Sequence, residues 1–268
     1  MFVKSLPERM KAYESVETDR RLIYLLPVLA RVDGHCFHKF CHKLKRPYDE
    51  RLSQLMVATA KKVAEDTLAQ AAYTQSDEIT FAWSPGYDEM PFGSRVHKLI
   101  SYYAALTSVI FNKLLPEYLP EKADQSPTFD CRVWNCPNLL EASNSIVWRE
   151  IDATRNSIQM AGQAHFSHKQ LHKKNSSEIQ EMLFSQKDIN WNDFPEFFKR
   201  GTYILRTKKI EPLTEEELVK IPTHISNPNP NKQRTEYIIK NLPPITKVVN
   251  RIDVLFHGKE PELKKEEP

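Results

Sequence analysis

Glycine is scarce in this sequence, with six residues among 268, whereas a typical chain contains about 7% glycine. The few glycines form neither a GxGxxG fingerprint nor a GxxxxGK[ST] loop, the two glycine-rich patterns that hold phosphates at the start of a helix. The sequence therefore excludes the Rossmann and P-loop phosphate sites. Any phosphate chemistry in this protein has to use another arrangement of residues.

Long apolar runs and a dense cysteine pattern are also missing. No segment approaches the roughly 18–20 consecutive apolar residues of a membrane-spanning helix, and the N-terminus lacks the apolar run of a secretory signal. Four cysteines in a chain of this length do not resemble the framework of a small secreted disulfide protein. We therefore expect a cytoplasmic protein that has no membrane partner.

The composition that is present predicts a folded protein. Hydrophobic residues make up 40% and aromatic residues 10% of the chain, which argues against wholesale disorder. The formal net charge is only +3 and does not by itself indicate a nucleic-acid partner. Lysines and histidines nevertheless cluster at 165–174, and such a locally basic segment can bind phosphates without a strongly basic total.

The order of periodic segments in the first half predicts the fold class. An apolar run at 22–33 predicts a buried strand, and a helix is expected at about 50–71. Two short strands at 72–83, a helix at about 94–115 and a strand at 129–136 complete a β-α-β-β-α-β order. We therefore predict an α+β protein with a ferredoxin-like antiparallel sheet, two helices on one face of it, and a helical C-terminal region.

The chain divides into three expected parts. The first, 1–137, contains the ferredoxin-like pattern, and the second, 138–221, is mainly helical and ends in an aromatic turn that runs into a strand. The third, 222–268, is a C-terminal extension that begins with the turn-rich stretch PTHISNPNPNKQR. We expect this stretch to be a mobile loop and the final residues, GKEPELKKEEP, to be a disordered tail.

The stretch RVDGHCFHKFCHKL at 31–44 concentrates three histidines, two cysteines and one aspartate. One interpretation is a zinc site, because Cys36 and Cys41 have the same spacing as Cys131 and Cys136. Four intervening residues are at the edge of the range that structural zinc sites use. Buried cysteines that behave as small apolar residues are the favoured alternative.

Three acids carry the other interpretation of this region. Asp33 ends a predicted buried strand, and Asp77 and Glu78 lie between two short strands. Nucleotidyl transfer uses two divalent cations bridged by carboxylates from different segments, and Mg²⁺ prefers hard oxygen ligands. Gly34 lets the backbone approach a triphosphate and offers its carbonyl as a further ligand. Each acid taken singly is best interpreted as an ordinary turn residue. Their pairing within a β-α-β-β order makes a two-metal site about as well supported as that interpretation.

Several motifs in the chain together resemble one family. RVDGHCFHKF is similar to its RxDGxxFHxF signature, and QSDEITFAW is similar to its QSDE motif. Further matches follow in order: RPYDERLSQLM, SRVHK, FDCRV, WREIDATRNSIQ, EMLF and INWNDFPEFFKRGTYI. They cover about residues 30–206 and resemble the tRNA-His guanylyltransferases and their relatives, the guanylyltransferase-like 3′–5′ polymerases. The resemblance implies that 1–137 is a polymerase-type catalytic palm and that 138–221 binds RNA.

The resemblance also implies a reaction and its partners. A Mg²⁺-dependent nucleotidyltransferase of this kind adds nucleotides, G in particular, to the 5′ end of tRNA. ATP or GTP first activates the 5′-phosphate, and the 3′-hydroxyl of the incoming nucleotide then attacks it. The implied cofactors are two Mg²⁺ ions with GTP and ATP as substrates, and the implied assembly is a homotetramer built as a dimer of dimers.

The resemblance implies roles for particular residues of this chain. Asp33, Asp77 and Glu78 would be catalytic, and Asp33, Asp77 and the Gly34 carbonyl would hold the metals. The nucleotide would contact these acids and Gly34, His35, Cys36, Phe37, His38, Arg46, Asp49, Ser76, Arg95 and Lys98. The tRNA would contact Arg132, Arg155, Asn156, Lys173, Lys174, Lys199 and Arg200.

Two segments depart from the family pattern. The eukaryotic-type enzymes carry a HINNLYN-like segment after WRQAD, whereas this chain has Thr154 and Arg155 in place of His-Ile. Ile179 stands where a lysine is expected before the EMLF match, with Lys173 and Lys174 nearby to compensate. The missing histidine weakens the case for specific addition of G−1 to tRNA-His. It favours the broader branch, which repairs truncated tRNA 5′ ends by template-dependent addition.

Three alternatives stay open on the sequence alone. The first is a strict tRNA-His G−1 guanylyltransferase. The second is a palm-type nucleotide cyclase, which also uses paired acids, although the WRxxD and FKRGT matches speak against it. The third is a non-catalytic tRNA-binding module, against which the joint presence of Asp33, Gly34, Asp77 and Glu78 argues.

Overall fold

The computed structural model describes residues 5–85, 90–214 and 231–264. Its strands are β1 (Val28–Gly34), β2 (Ala71–Gln75), β3 (Glu78–Trp83), β4 (Phe129–Asn135), β5 (Thr202–Pro212) and β6 (Asn231–Lys240). They form one antiparallel sheet in the order β4-β1-β3-β2-β5-β6. The helices are α1 (Leu6–Thr18), α2 (Phe37–Phe40), α3 (Glu50–Thr67), α4 (Val96–Tyr118), α5 (Leu139–His165), α6 (His168–Leu171), α7 (Ser176–Lys187), α8 (Glu196–Arg200) and α9 (Arg251–His257).

The first half has the predicted ferredoxin-like order, so the fold class is confirmed. Helix α3 begins after Asp49, whose carboxylate accepts a hydrogen bond from the Arg51 amide at 3.1 Å and caps the helix. Helices α3 and α4 pack on one face of the sheet, because apolar side chains recur at helical spacing along both. The resulting core includes Val32, Leu55, Met56, Phe81, Leu99, Tyr103 and Phe111.

The opposite face of the same sheet carries α5 and α9. Leu29 and Tyr73 point from the sheet to this side and pack with Ile146 of α5 and Leu255 of α9. Strand β5, from the second half of the chain, pairs with β2 of the first half over Thr202–Leu205. One sheet is therefore shared by both halves, with helices of each half on opposite faces.

A third, smaller core lies between the C-terminal half of α5 and α7. Ile158, Ile179, Leu183 and Trp191 are buried there. Ile179 is the residue found where the family pattern expects a lysine, and it is fully enclosed. Its methyl group Cγ2 is so close to Gly162 that a Cβ at that glycine would lie 2.8 Å away. This position is a packing position in this chain.

The C-terminal extension differs from the expectation in its described part. Residues 231–240 form strand β6, which pairs with β5 along its whole length. Val254 and Leu255 of α9 are almost completely buried in the second core, so this segment contributes to folding rather than forming a tail. Even 258–264 is held, because Lys264 donates a backbone hydrogen bond to the Lys247 carbonyl at 2.9 Å. Of the predicted mobile loop at 222–234, residues 231–234 form the first part of β6. Residues 222–230 lie outside the described residues, as do the last four residues of the chain.

None of the helices within 5–85, 90–214 and 231–264 combines the length and the apolar content that are needed to cross a bilayer.

Candidate active site

Three carboxylates form a row across the C-terminal end of β1. Asp33 pairs in register with Glu78 of β3 on one side and with Asp130 of β4 on the other. Since directly opposite residues of antiparallel strands lie about 4.5–5.5 Å apart, three like charges share this edge of the sheet. Such a row is destabilising in isolation and favours a bound cation. Asp130 was not among the predicted site residues, although it belongs to the FDCRV match.

Asp77 joins this row from the two-residue turn between β2 and β3. The amide of Gly34 donates a hydrogen bond to the Asp77 carbonyl at 3.1 Å, which ties the turn to the end of β1. The Ser76 hydroxyl donates to Asp77 Oδ1 at 3.0 Å. Burial, together with the nearby charge of Asp33, raises the pKa of Asp77 above its usual range. The predicted proximity of these two acids is thus what the fold produces.

Glu78 is held by an arginine that the sequence interpretation did not include. Arg149 Nε donates to Glu78 Oε1 at 2.6 Å, and Nη2 donates to Oε2 at 2.7 Å. The same guanidinium contacts Asp152 Oδ2 at 3.1 Å. Burial raises the pKa of Glu78, and the Arg149 guanidinium opposes that rise. Both oxygens of Glu78 are thereby engaged, so the structure gives this residue a supporting contact to α5 rather than a free carboxylate.

The loop after β1 turns sharply over its own aromatic side chain. A side chain at Gly34 would clash with Phe37, because a Cβ there would lie within 2.6 Å of Phe37 Cγ. Phe37 is buried, with its ring centroid 5.0 Å from that of Phe129 and 5.6 Å from that of Phe111. The Phe37 side chain therefore fills the core below the loop, so a contact of Phe37 with a nucleotide would be made by its backbone. The backbone of Phe37 lies in the loop beside Cys36. Cys36 is exposed, and its backbone has a left-handed conformation with φ 55°.

A cavity of about 270 Å³ adjoins the acids. It lies between the loop before α3, the turn after β2, α5 and α8. Its apolar walls include Leu44, Tyr48, Met160 and Phe197. The cavity adjoins the cleft that contains Asp33, Asp77 and Glu78, because both are lined by Gln75, Ser76, Asn156, Met160 and Gln163. A flat aromatic ring fits such a space, with polar groups at the side that faces the acids.

Four predicted nucleotide residues border this cavity, Ser76 of the turn among them. His38 and Arg46 are exposed and line it. Asp49 also lines it, but its carboxylate caps α3 and accepts hydrogen bonds from Arg51 Nε at 3.0 Å and Nη2 at 2.8 Å. These contacts, the Arg51 side chain above all, lower the pKa of Asp49. Its role in the described structure is to hold the cavity wall in place.

Arg95 and Lys98 are not brought to the acids within one chain. Both lie at the start of α4, next to the end of β3 that is farthest from Glu78. The direction of α4 follows from its ring contacts, since Tyr103 stacks on Trp83 and Phe111 meets Phe129 eight residues later. The start of α4 therefore points away from the acid row. Arg95 instead forms an ion pair with Asp19 at 3.5 Å.

The predicted tRNA-binding residues divide into exposed and engaged groups. Arg132, Arg155, Lys173 and Lys174 are exposed, and Asn156 lies in the cleft beside the acids. Arg155 is paired with Asp152, and Lys174 with Glu178 at 2.7 Å.

Two of the residues predicted to bind tRNA are turned inward. Lys199 is buried, donates to the Asn192 carbonyl at 2.6 Å and pairs with Glu196 at 2.8 Å. Arg200 pairs with the same Glu196 and lies over the Trp191 ring at 5.7 Å. The prediction for Lys199 is wrong because the fold uses its ammonium group internally, and most of the Arg200 side chain is similarly enclosed.

The four cysteines do not form the zinc site that was considered. Cys131 packs in the core beneath α3 and α4, whereas Cys136 packs in the core on the α5 side of the sheet. Residues five apart on a strand point to opposite faces, which explains the separation. Cys36 is exposed and its Sγ lies 3.5 Å from His35 Nε2. Burial raises the pKa of Cys41 to about 11 and of Cys131 to about 12, as expected for inert thiols.

The donor set at the acid row suits magnesium better than a soft metal. Asp33 and Asp77 supply hard carboxylate oxygens from two different segments. Within the described ranges, no group of three or more histidine, cysteine, aspartate and glutamate side chains converges as a metal cage. Magnesium commonly binds through one or two carboxylates with water and phosphate oxygens completing its shell. The pair therefore fits an ion that arrives with a nucleotide.

A ferredoxin-like sheet with paired acids at the ends of its central strands places this protein among the polymerase-type palm domains. The tRNAHis guanylyltransferase family (Thg1) matches residues 7–137, and the Thg1 C terminal domain matches residues 142–250. The tRNA(His) guanylyltransferase of Schizosaccharomyces pombe is 32% identical over 220 residues, which cover 76% of this chain and 82% of the relative.

Solved structures give the same result. A bacterial tRNA(His) guanylyltransferase-like protein in complex with ATP has a TM-score of 0.74 at 30% identity, over 91% of this chain and 95% of the other. The Saccharomyces cerevisiae tRNA(His) guanylyltransferase has a TM-score of 0.64 at 27% identity, over 72% and 91% of the two chains. The chain belongs to the tRNAHis guanylyltransferase family, which confirms the resemblance, and it is an enzyme of the nucleotidyltransferase class.

Proposed function

We propose that this chain is a Mg²⁺-dependent 3′–5′ nucleotidyltransferase that adds nucleotides, G in particular, to the 5′ end of tRNA. The observation that carries the proposal is the meeting of Asp33 and Asp77 beside a cavity that suits a purine ring. Relatives named tRNA(His) guanylyltransferase, and guanylyltransferase-like structures in complex with ATP and with GTP, support the same chemistry. Transfer of a nucleoside monophosphate from ATP or GTP to the tRNA 5′-phosphate would release pyrophosphate. The 3′-hydroxyl of the incoming nucleotide would then attack the activated phosphate and displace that nucleoside monophosphate.

Asp33 and Asp77, with the Gly34 carbonyl, would hold two magnesium ions. When bound, magnesium stabilises the charge that builds up on phosphoryl oxygens during transfer. Glu78 acts through Arg149: their bidentate pair fixes the strand end and keeps α5 at the rim of the cleft. The Ser76 hydroxyl orients the Asp77 carboxylate from the same turn. This support keeps both metal-binding carboxylates in place before the substrate binds.

The nucleotide would span the cavity and the acid cleft. Its base fits between the apolar walls, while its phosphates extend along the loop that contains His35, Cys36 and His38. The amides of Gly34, His35 and Lys39 donate to protein carbonyls. The first amides of α2, which have no acceptors inside the helix, would be the backbone donors to the phosphates. The exposed Arg46 at the cavity rim supplies positive charge.

Template-dependent repair of truncated tRNA 5′ ends is the branch that we favour. Thr154 stands in place of the histidine of the strict enzymes, so no imidazole is present there, and Arg155, in place of the isoleucine, pairs with Asp152. Ile179 occupies a core position, so no lysine reaches out from that place. Asn156 remains at the cleft and would contact the RNA end.

The direct test uses Mg²⁺, ATP, labelled GTP and a tRNA that lacks its first 5′ nucleotide. We expect templated 5′ extension by the native chain. Asp33→Ala or Asp77→Ala should reduce it by at least about 1,000-fold, because each removes a carboxylate that positions a charge-stabilising cation. Asp124→Ala is the matched control, since Asp124 is exposed in a turn outside the cleft. Far-UV circular dichroism of all variants verifies folding.

The outcomes separate the alternatives. Undiminished extension in both acid variants contradicts the site assignment. Extension confined to G−1 on intact tRNA-His identifies a strict guanylyltransferase. Cyclic nucleotide formed without RNA identifies a cyclase, and tRNA binding without any transfer identifies a non-catalytic module. Assembly as a dimer of dimers and a cytoplasmic location stay predictions; a neighbouring copy is the means by which Arg95 and Lys98 would reach an acid row.

A further inference from the structure

Trp148 is an exposed aromatic side chain in a position that packing does not explain. It lies on α5, and 54% of its surface is open to solvent. Tryptophan is rarely this exposed, because its large apolar surface is worth burying. The three other tryptophans of the chain are buried or half-buried. An indole that is exposed on an otherwise packed helix is a candidate surface for binding a ligand.

The ring lies next to the acid row. Arg31 lies over it, with the guanidinium carbon 5.3 Å from the ring centroid. Arg31 precedes Asp33 by two residues on β1, so both point to the same face, about 6–7 Å apart along the strand. Arg149 lies over the ring at 4.7 Å and is the residue that binds Glu78. Trp148 is therefore connected to the acid row through both neighbouring strands.

The orientation of the indole is fixed before any ligand binds. Arg149 cannot swing away, because Glu78 and Asp152 both hold its guanidinium. Two cations within reach of one ring restrain it by cation–π attraction. A restrained aromatic surface loses little conformational freedom on binding, which favours stacking.

Several arginines lie near the ring. Arg31 pairs in register with Arg132 of β4, so two guanidinium groups share one row beside the row of acids. Within the described part of the chain, neither of them forms an ion pair with a carboxylate. Arg155 is 66% exposed, two turns along α5. A second copy of the chain would place like charges against each other across a two-fold contact. A polyanion that carries flat rings fits the patch.

The ring is also separate from the nucleotide cavity. Helix α5 lines that cavity with Ala153, Asn156 and Met160, whereas Trp148 lies more than one turn earlier on the helix, towards β4. A nucleotide in the cavity would leave Trp148 free for the other substrate.

We propose that Trp148 is a stacking platform for a nucleobase of the RNA substrate, at the end where the transfer takes place. This inference rests on the proposed function. Exposed aromatic rings among arginines bind single-stranded or frayed RNA bases in this way, independently of sequence. Stacking at Trp148 would hold the RNA end beside Asp33 while the adjoining cavity holds the nucleotide.

The test uses a 5′-phosphorylated acceptor-stem RNA with 2-aminopurine, either as its 5′-terminal nucleotide or as the 3′-strand nucleotide opposite the growing end. Stacking quenches the fluorescence of 2-aminopurine. We expect the full chain to quench one of the two probes, Trp148→Phe to keep the quenching, and Trp148→Ala to lose it. Trp148→Ala should also weaken RNA binding about 10- to 100-fold and leave the KM for ATP unchanged.

Ile151→Ala is the matched control, because Ile151 is equally exposed one turn away and has no ring. It should keep the quenching. Equal quenching by the native chain and Trp148→Ala overturns the proposal. A loss of assembly mass in Trp148→Ala with unchanged RNA affinity also overturns it and identifies a contact between copies. ATP-dependent adenylylation of the RNA 5′-phosphate by the native chain is measured in parallel, since its absence would contradict the proposed function and not the platform alone.

Discussion

Asp77 combines burial with a neighbouring charge of the same sign. Both raise its pKa, burial being the larger cause, and the hydrogen bond from Ser76 only partly offsets them. Its folded state therefore binds a proton more readily than its unfolded state does. At neutral pH the ionised carboxylate therefore lowers the free energy of unfolding. This is expected at a cation-binding site in the absence of its cation.

A change of this one residue should reveal that cost. Without divalent cations at pH 7, Asp77→Asn should melt at a higher temperature than the native chain, because the charge is gone. The sign follows from the raised pKa: the difference is full above the folded pKa of Asp77 and vanishes as the pH falls through it towards the model-peptide value of 3.8. Magnesium should raise the melting temperature of the native chain and not that of the variant. Calorimetry at several pH values measures both, and an Asp77→Asn protein that is less stable at pH 7 contradicts this account.

Single residues also mark where sequence reasoning succeeds and where it ends. Asp33 and Asp77 were predicted to meet because Asp33 ends a buried strand, Asp77 lies in a turn between two strands, and the helix between them makes these strands neighbours. The partner of Glu78 was missed because Arg149 lies 71 residues away, and only the docking of α5 on the sheet brings the two together. Lys199 was assigned to RNA because the family resemblance implied it. No local pattern shows that Asn192, Glu196 and Trp191 enclose its side chain.

Among the elements, the turn from β1 into α2 is closely packed. The Phe37 ring closes over Gly34 and joins the cluster of Phe40, Phe111 and Phe129. From the sequence, Gly34 was predicted to let the backbone approach a triphosphate. The structure adds that the glycine also makes room for this ring, so the loop and the core below it depend on the same residue.

Gly34→Ala should therefore destabilise the fold as well as the site. A Cβ would lie within 2.6 Å of the Phe37 ring, and overpacking of this kind costs about 1–3 kcal/mol. Urea unfolding measures the loss. Combining Gly34→Ala with Phe37→Leu, which opens space, should cost less than the sum of the two single changes. Unfolding free energies that add, or a Gly34→Ala protein as stable as the native one, would show that the contact is not close in solution.

For the whole molecule, the shared sheet makes the two halves interdependent. Strand β5 pairs with β2, and the segment after β6 fills the core on the α5 face. Glu150 of α5 joins these parts, because its carboxylate accepts hydrogen bonds from the Tyr203 hydroxyl at 2.6 Å and the Ile245 amide at 2.8 Å. The extension was expected to be loose because prolines and charges dominate its ends. The apolar residues between them are few, and the core that they form with α5 is not visible from the sequence of the extension.

A chain that ends at Lys240 should consequently fail to fold. It lacks six buried side chains: Leu242, Ile245, Val248, Val254, Leu255 and Phe256. At about 1.5–3 kcal/mol each, their burial is comparable with the whole stability of an ordinary domain. Thermal unfolding should lose its cooperative transition. Val249→Ala in the full chain is the control, because Val249 is exposed in the same segment and should change stability by less than about 0.5 kcal/mol. A cooperative transition in the shortened chain would mean that the first half is autonomous.

The pairing of β2 with β5 also sets an order of events during synthesis on the ribosome. Tyr73 of β2 donates a hydrogen bond to the carbonyl of Arg200, 127 residues further along the chain. At about 5–20 residues per second, β2 is an open sheet edge for roughly 6–25 s before its neighbour emerges. During that interval the nascent palm exposes hydrogen-bonding groups of β2 to other chains. Chaperone binding to nascent chains should therefore be strongest between the completion of β4 and the emergence of β5.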